Sequence, residues 1–88
     1  MRLDPGNADY VFHQGLALSR MPQRGRDAES YFVRAIDLAP IKIEYHLALG
    51  QFYVRHGLTT RALSAYQDAL KRAPNSKRIM QAIKQAGG

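Results

Sequence analysis

Apolar residues recur along this chain at spacings of three and four, the period of a helix buried on one side, in five stretches separated by turn residues. Tyr10 or Val11, Gln14, Gly15 and Leu18 follow Asn7, a residue suited to N-capping, and predict a helix over about 8–21. Ala28, Tyr31, Phe32, Ala35, Ile36 and Leu38 form a wider apolar stripe and predict a second over about 26–38. Tyr45, Leu49, Phe52 and Tyr53 predict a third over about 42–56, with Gly57 placed for a left-handed C-terminal cap. A fourth, over about 60–72, starts at a Thr cap, buries Ala62, Leu63, Ala65, Tyr66, Ala69 and Leu70, and ends on Lys71 and Arg72, which complement the helix dipole. The fifth, over about 77–86, follows Asn75-Ser76, carries Ile79, Met80 and Ile83 on one face, and stops at Gly87-Gly88. No segment shows the alternation of a strand.

The punctuation repeats. Pro5, Pro40 and Pro74 stand 35 and 34 residues apart, each able to stop a helix because proline lacks the N–H and crowds the preceding turn. Gly15 recurs as Gly50 at a separation of 35, while Ala28 recurs as Ala62 and Ala35 as Ala69 at 34. The extra residue falls between Gly15 and Ala28, in the turn-rich stretch Met21-Pro22-Gln23-Arg24-Gly25, where added length costs little. Glycines on the first helix of each pair leave room for Ala28 and Ala62 on the second, allowing a close antiparallel crossing. Phe32 and Tyr66 fill the space beside it, and Ala35 and Ala69 admit the first helix of the next pair.

This pattern resembles the tetratricopeptide repeat, whose signature reads W-x2-L-G-x2-Y, then A-x3-F, then A, then P. The second period is close to it, with Leu49-Gly50, Tyr53, Ala62, Tyr66, Ala69 and Pro74. The first keeps Gly15, Ala28, Phe32, Ala35 and Pro40, but has Gln14 and Leu18 where the signature has Leu and Tyr. Val11 and His46 take the tryptophan's place, and His46 is expected at a hairpin edge with its tip in water. The resemblance implies an all-α fold, an α-solenoid fragment of two antiparallel helix pairs and a C-terminal capping helix. Residues 1–7 read as the tail of a preceding repeat or a linker, 8–42 as the first repeat, 43–76 as the second and 77–88 as the cap. Lys84 stands where a third repeat would have its close-packed glycine, hence the cap. Arrays of this kind usually hold three or more units, so self-association through an uncovered end is the alternative role for so short a module.

Composition narrows the classes without naming a partner. At 88 residues, with 45% hydrophobic and 23% charged residues, the chain has the makeup of one small folded unit. Without cysteine it has neither disulfides nor a thiolate nucleophile. No apolar run approaches the ~18 residues of a membrane span, and Met1-Arg2-Leu3-Asp4-Pro5 lacks the core of a signal peptide, so a soluble, cytoplasmic chain is expected. The net charge of +6 is uneven: +1 over residues 1–42, +2 over 43–76 and +3 over 77–88. Such a field favours acidic partners.

Catalysis finds little support. His13, His46 and His56 form no i, i+4 metal pair, and no H-E-x-x-H, G-x-S-x-G or phosphate-binding glycine loop is present. No enzyme, metal or other cofactor is expected. The resemblance instead implies that the first helices of successive repeats line a concave, peptide-binding groove. The residues placed there are Asp9, Phe12, His13, Leu16, Ser19 and Arg20, then Glu44, Leu47, Ala48, Gln51, Val54 and Arg55; the expected binding set is Phe12, His13, Leu16, Arg20, Leu47, Gln51, Val54 and Arg55. Phe12, Leu16, Leu47 and Val54 are apolar residues that the hairpin cores do not obviously need: either they form an interaction site, as exposed apolar groups gathered on one surface often do, or the fifth helix or a neighbouring repeat covers them. Some relatives hold a C-terminal carboxylate in a Lys and Asn clamp, but Phe12, Leu16 and Ala48 occupy those places here. The expected mode is a peptide read through apolar side chains, with Arg20, Arg55 and Arg78 attracting acidic flanks. Nucleic acid is the weaker alternative, because Arg24, Arg26, Arg61, Arg72, Lys77 and Arg78 have no stacking aromatic interleaved among them.

Overall fold

A computed structural model of the chain describes residues 6–21 and 25–87. The elements are α1 (Ala8–Ser19), a 3-10 turn (Gly25–Asp27), α2 (Ala28–Leu38), α3 (Ile43–Arg55), α4 (Thr59–Arg72) and α5 (Lys77–Gln85), with no strand among the described residues. The all-α helical-repeat reading is therefore correct. The expectations for the first five residues, for the insertion at 22–24 and for Gly88 lie outside the described residues.

Local chemistry sets most of the helix ends. The Asn7 side chain accepts the Tyr10 N–H at 3.1 Å, and Ser76 Oγ accepts the Ile79 N–H at 3.3 Å, each satisfying a first-turn donor that has no partner within its helix. After α3, Gly57 adopts φ +72°, its N–H donating to Val54 O and the Leu58 N–H to Tyr53 O at 2.8 Å. That pair of bonds is the Schellman closure, and it needs the left-handed conformation that glycine adopts without a Cβ penalty.

Six helix boundaries differ from the sequence expectation by one or two residues, among them those of α3, which runs from Ile43 to Arg55 rather than over 42–56, and of α5, which ends at Gln85 rather than at 86. The first helix ends at Ser19 and not at Met21, because the N–H groups of Arg20 and Met21 turn to carbonyls three residues back and tighten the last turn. Arg26 lies in the 3-10 turn, and the α-helix starts at Ala28. The fourth helix begins at Thr59 with Leu58 as N-cap and no side-chain cap bond, so the expected Thr cap is not made. Leu58 takes that place because the Schellman turn runs straight into α4.

The chain divides into two compact units, Met1–Tyr45 and His46–Gly88. In the first, α1 packs on α2 around Val11, Ala35 and Tyr45. Ala28 and Ala35 are fully buried, and Ala35 meets the first turn of α3 through Tyr45. A Cβ on Gly15 would come within 2.9 Å of Phe32 Cε1 and 3.1 Å of Tyr31 Cβ. In the second unit, Ala62, Ala69 and Ile79 are fully buried and α5 packs against α4. A Cβ on Gly50 would overlap the Tyr66 ring, 2.6 Å from Cζ and 2.7 Å from Cδ1. The atoms nearest both glycines thus belong to aromatic rings, one helical turn beyond the alanines the sequence suggested. Small residues open the crossing, and a ring from the facing helix fills it.

His46 also departs from expectation. It is buried, at 4% exposure, with no tip in water. Tyr45, Leu47, Leu49, Gly50, Phe52 and Tyr53 on the same helix are buried too, so α3 is covered around most of its circumference and the imidazole lies inside that cover. No buried side-chain nitrogen or oxygen among the described residues lacks a hydrogen-bond partner.

Candidate functional site

The sequence-derived set falls into two groups, one per unit. In the first unit Phe12 is half-buried, its ring centroid 4.7 Å from that of Tyr45 and 5.8 Å from that of Phe32. It is thus part of the packing, contrary to the expectation that the core does not need it. Leu16 is half-buried, and His13 and Arg20 are exposed. Ser19 turns its hydroxyl inward to Leu16 O at 2.7 Å.

Asp9, which the resemblance would place on the binding face, is engaged within the first unit. Its carboxylate accepts the Tyr45 hydroxyl, and Lys42 Nζ lies 3.2 and 3.4 Å from its two oxygens and 5.7 Å from the Tyr45 ring centroid. The hydrogen bonds from Tyr45 and Lys42 hold the Asp9 carboxyl below its ordinary range. Burial, followed by the bond to Asp9, pushes the Tyr45 phenol up to about 12. The neutral donor and the charged acceptor therefore coexist across the neutral pH range.

In the second unit Leu47 is 6% exposed, again a residue the core uses, whereas Val54 is 41% exposed and Gln51 and Arg55 are exposed. These four side chains share a cleft with α5. One hollow, of about 310 Å³, is lined by Gln51, Val54, Arg55, Tyr66, Ala82, Gln85 and Ala86. A second, of about 180 Å³, is lined by Leu47, Gln51, Arg78, Gln81, Ala82 and Gln85. The shared lining of Gln51, Ala82 and Gln85 makes them two ends of one trough. Leu47 and Arg78 mark one end, Arg55 and Ala86 the other, so α3 and α5 run in the same sense along it.

Sequence reasoning did not place Gln81, Ala82 and Gln85 on this face, although the signal was present. Counting 34 residues back from Arg78, Gln81, Ala82 and Gln85 gives Glu44, Leu47, Ala48 and Gln51, the face assigned to α3. Among the described residues no three of His, Asp and Glu gather where they could hold a metal ion. No helix of the described residues is long and apolar enough to cross a membrane.

A tetratricopeptide repeat family model matches residues 43–86, half of the 88-residue chain, and the match runs through α5. No curated protein sequence matches the chain. Repeats of this family are non-catalytic modules that generally mediate protein–protein interaction. With five helices in place, aromatic rings seated on Gly15 and Gly50, and the family model spanning α3 to α5, this chain belongs to the tetratricopeptide repeat family.

Proposed function

We propose that the chain is a non-catalytic protein-interaction module that binds an extended peptide segment of a partner protein, and that the peptide lies in the trough lined by α3 and α5. Within this reading, residues 8–42 and 43–76 are two repeats and 77–88 is a helix that caps the second while supplying one wall of the binding surface. The observation that carries the proposal is the trough itself. It has a half-open apolar residue, Val54, beside Ala82 and Ala86, and polar amides from Gln51 and Gln85, all on helices and not on loops. Apolar side chains set among convergent polar groups give a recognition site both contact area and orientation, and sites on helices are held more precisely than sites on loops.

The length of the trough supports an extended peptide. From Leu47 to Arg55 is eight residues, about 12 Å along a helix at ~1.5 Å per residue. An extended chain at ~3.3 Å per residue would lay about four residues in it.

The test is a selection of random peptides displayed on phage against the intact 88-residue chain, with enriched sequences remade and titrated by fluorescence anisotropy. Val54→Glu introduces a charge at an exposed helix position, so it should weaken binding at least about tenfold while circular dichroism stays unchanged. An empty selection, or peptides whose affinity ignores Val54→Glu, rejects the proposal. Leu47→Glu is unsuitable for this test, because the buried site would make it a folding experiment.

A further inference from the structure

The +6 net charge is not shared between the units. Residues 1–45 carry six Lys and Arg against six Asp and Glu, while residues 46–88 carry seven against one. The lone carboxylate, Asp68, lies in a different hollow with Leu49, Tyr53, Thr60, Arg61, Ser64 and Ala65, within 4.0 Å of Lys71. The trough between α3 and α5 is lined by no acidic side chain among the described residues. It presents Arg78 toward one end and Arg55 toward the other, and neither guanidinium pairs with a carboxylate among the described residues. Between them stand three glutamines, Gln51, Gln81 and Gln85, each offering a carbonyl oxygen and an amide N–H2.

From this arrangement we infer that the trough selects an acidic extended segment, in which two side-chain carboxylates about three residues apart reach Arg78 and Arg55. A small apolar residue between them settles against Val54 and Ala82. The inference rests on the peptide-binding reading above and specifies its ligand. Its parts follow from geometry and chemistry. Guanidinium groups pair with carboxylates through charge-assisted, often bidentate hydrogen bonds. Along the helix axes the two arginines are offset by ~10–12 Å, the rise of about seven to eight helical residues at ~1.5 Å each, an offset that about three extended residues at ~3.3 Å each cover. Glutamine amides suit the alternating N–H and C=O groups of an extended main chain, giving affinity that does not depend on side-chain identity. Because both arginines take side-chain carboxylates, the segment can lie inside a partner's sequence and needs no free C-terminus.

The test uses the intact chain and fluorescent octapeptides acetylated and amidated at their ends, carrying a Glu-Ala-Val-Glu centre flanked by Gly and Ser. Binding should be lost when both glutamates become glutamine, fall about tenfold with either Arg55→Gln or Arg78→Gln, and weaken as salt is raised. It should also weaken when the glutamates are made adjacent, and a free C-terminal carboxylate in place of the amide should add nothing. Arg55 and Arg78 are exposed, so neither substitution should alter helicity. A Gln-Ala-Val-Gln peptide that binds as tightly as the glutamate peptide, and is still lost with Val54→Glu, overturns the acidic selection and leaves the peptide trough standing. Glutamate peptides that ignore Arg55→Gln and Arg78→Gln overturn it as well, as does a single-stranded oligonucleotide that displaces them at equal concentration, which would make the basic surface a phosphate site.

Discussion

The two units close the same kind of hairpin by opposite means. In each, a glycine on the first helix takes an aromatic ring from the second, Phe32 over Gly15 and Tyr66 over Gly50. In Met1–Tyr45, the hairpin of α1 and α2 is joined to the start of α3 through polar groups, the Asp9 carboxylate receiving Tyr45 and Lys42. In His46–Gly88, the hairpin is completed by α5, which buries Ile79 fully and leaves along α3 a trough lined by no acidic side chain among the described residues. Balanced charge accompanies the polar join, and the whole excess of cations accompanies the apolar one. An ionic link needs both signs at hand, whereas an apolar contact places no demand on nearby charge and leaves arginines available for a ligand.

If α5 is held by apolar packing, Ile79→Ala should have the largest effect. Truncating a fully buried isoleucine removes transfer free energy and leaves a cavity, together about 3 kcal/mol, a large share of the ~5–15 kcal/mol that stabilises a domain. Urea unfolding should show this loss at low and high salt alike. A loss much below 1 kcal/mol, or one that grows with salt, would show that something other than apolar contact retains α5.

The glycine crossings give a sharper contrast. Replacing either glycine by alanine gains roughly 1 kcal/mol of helix propensity, so the outcome turns on steric cost. At Gly50 the new methyl would overlap the Tyr66 ring, which is 2% exposed and cannot swing out to solvent. Overpacking of this sort costs about 1–3 kcal/mol or somewhat more, and Gly50→Ala should be net destabilising by about 1–2 kcal/mol. At Gly15 the approach to Phe32 and Tyr31 is 2.9–3.1 Å, relieved by a shift of a few tenths of an ångström, so Gly15→Ala should lie within about 0.5 kcal/mol of the parent. Thermal melts of the two variants side by side decide it. Equal melting temperatures would mean the crossings are equally tight.

Much of this was legible in the sequence because repeated small residues and prolines report backbone packing, which depends little on detail. Gly15, Gly50, Ala28, Ala62 and Gly57 all have the structural roles their spacing implied, apart from the neighbour each helical glycine faces. The binding face was legible only in part. Phe12 and Leu47 sit 35 residues apart in equivalent positions and looked spare, yet both are drawn into packing, because α1 and α3 are covered over wider arcs than a single apolar stripe suggests. The same wide cover explains His46. The link from Asp9 to Lys42 and Tyr45 joins residues 33 and 36 apart, which no helical spacing signals. Only the folding of Lys42 and Tyr45 back onto α1 within the first unit brings them together.

That link provides the smallest and most selective probe of the polar half of the comparison. The Asp9 carboxyl is held below its ordinary value of ~4, so its contribution is complete above that pH and is lost as pH falls through the lower folded value. The Tyr45 phenol, raised from ~10 to about 12, contributes fully below pH ~10 and ceases to as pH rises through about 12. Tyr45→Phe keeps the ring against Phe12 and removes only the hydroxyl. The Asp9 side chain is 58% exposed, so water screens much of what is lost, and the melting temperature at pH 7 should fall by only a few degrees. That deficit should stay level from pH 5 to pH 9 and shrink on acidification through the carboxylate range, where the parent loses the same bond. A deficit that persists unchanged at pH 2 would mean that the hydroxyl matters through packing rather than through Asp9, and the polar join would lose its basis.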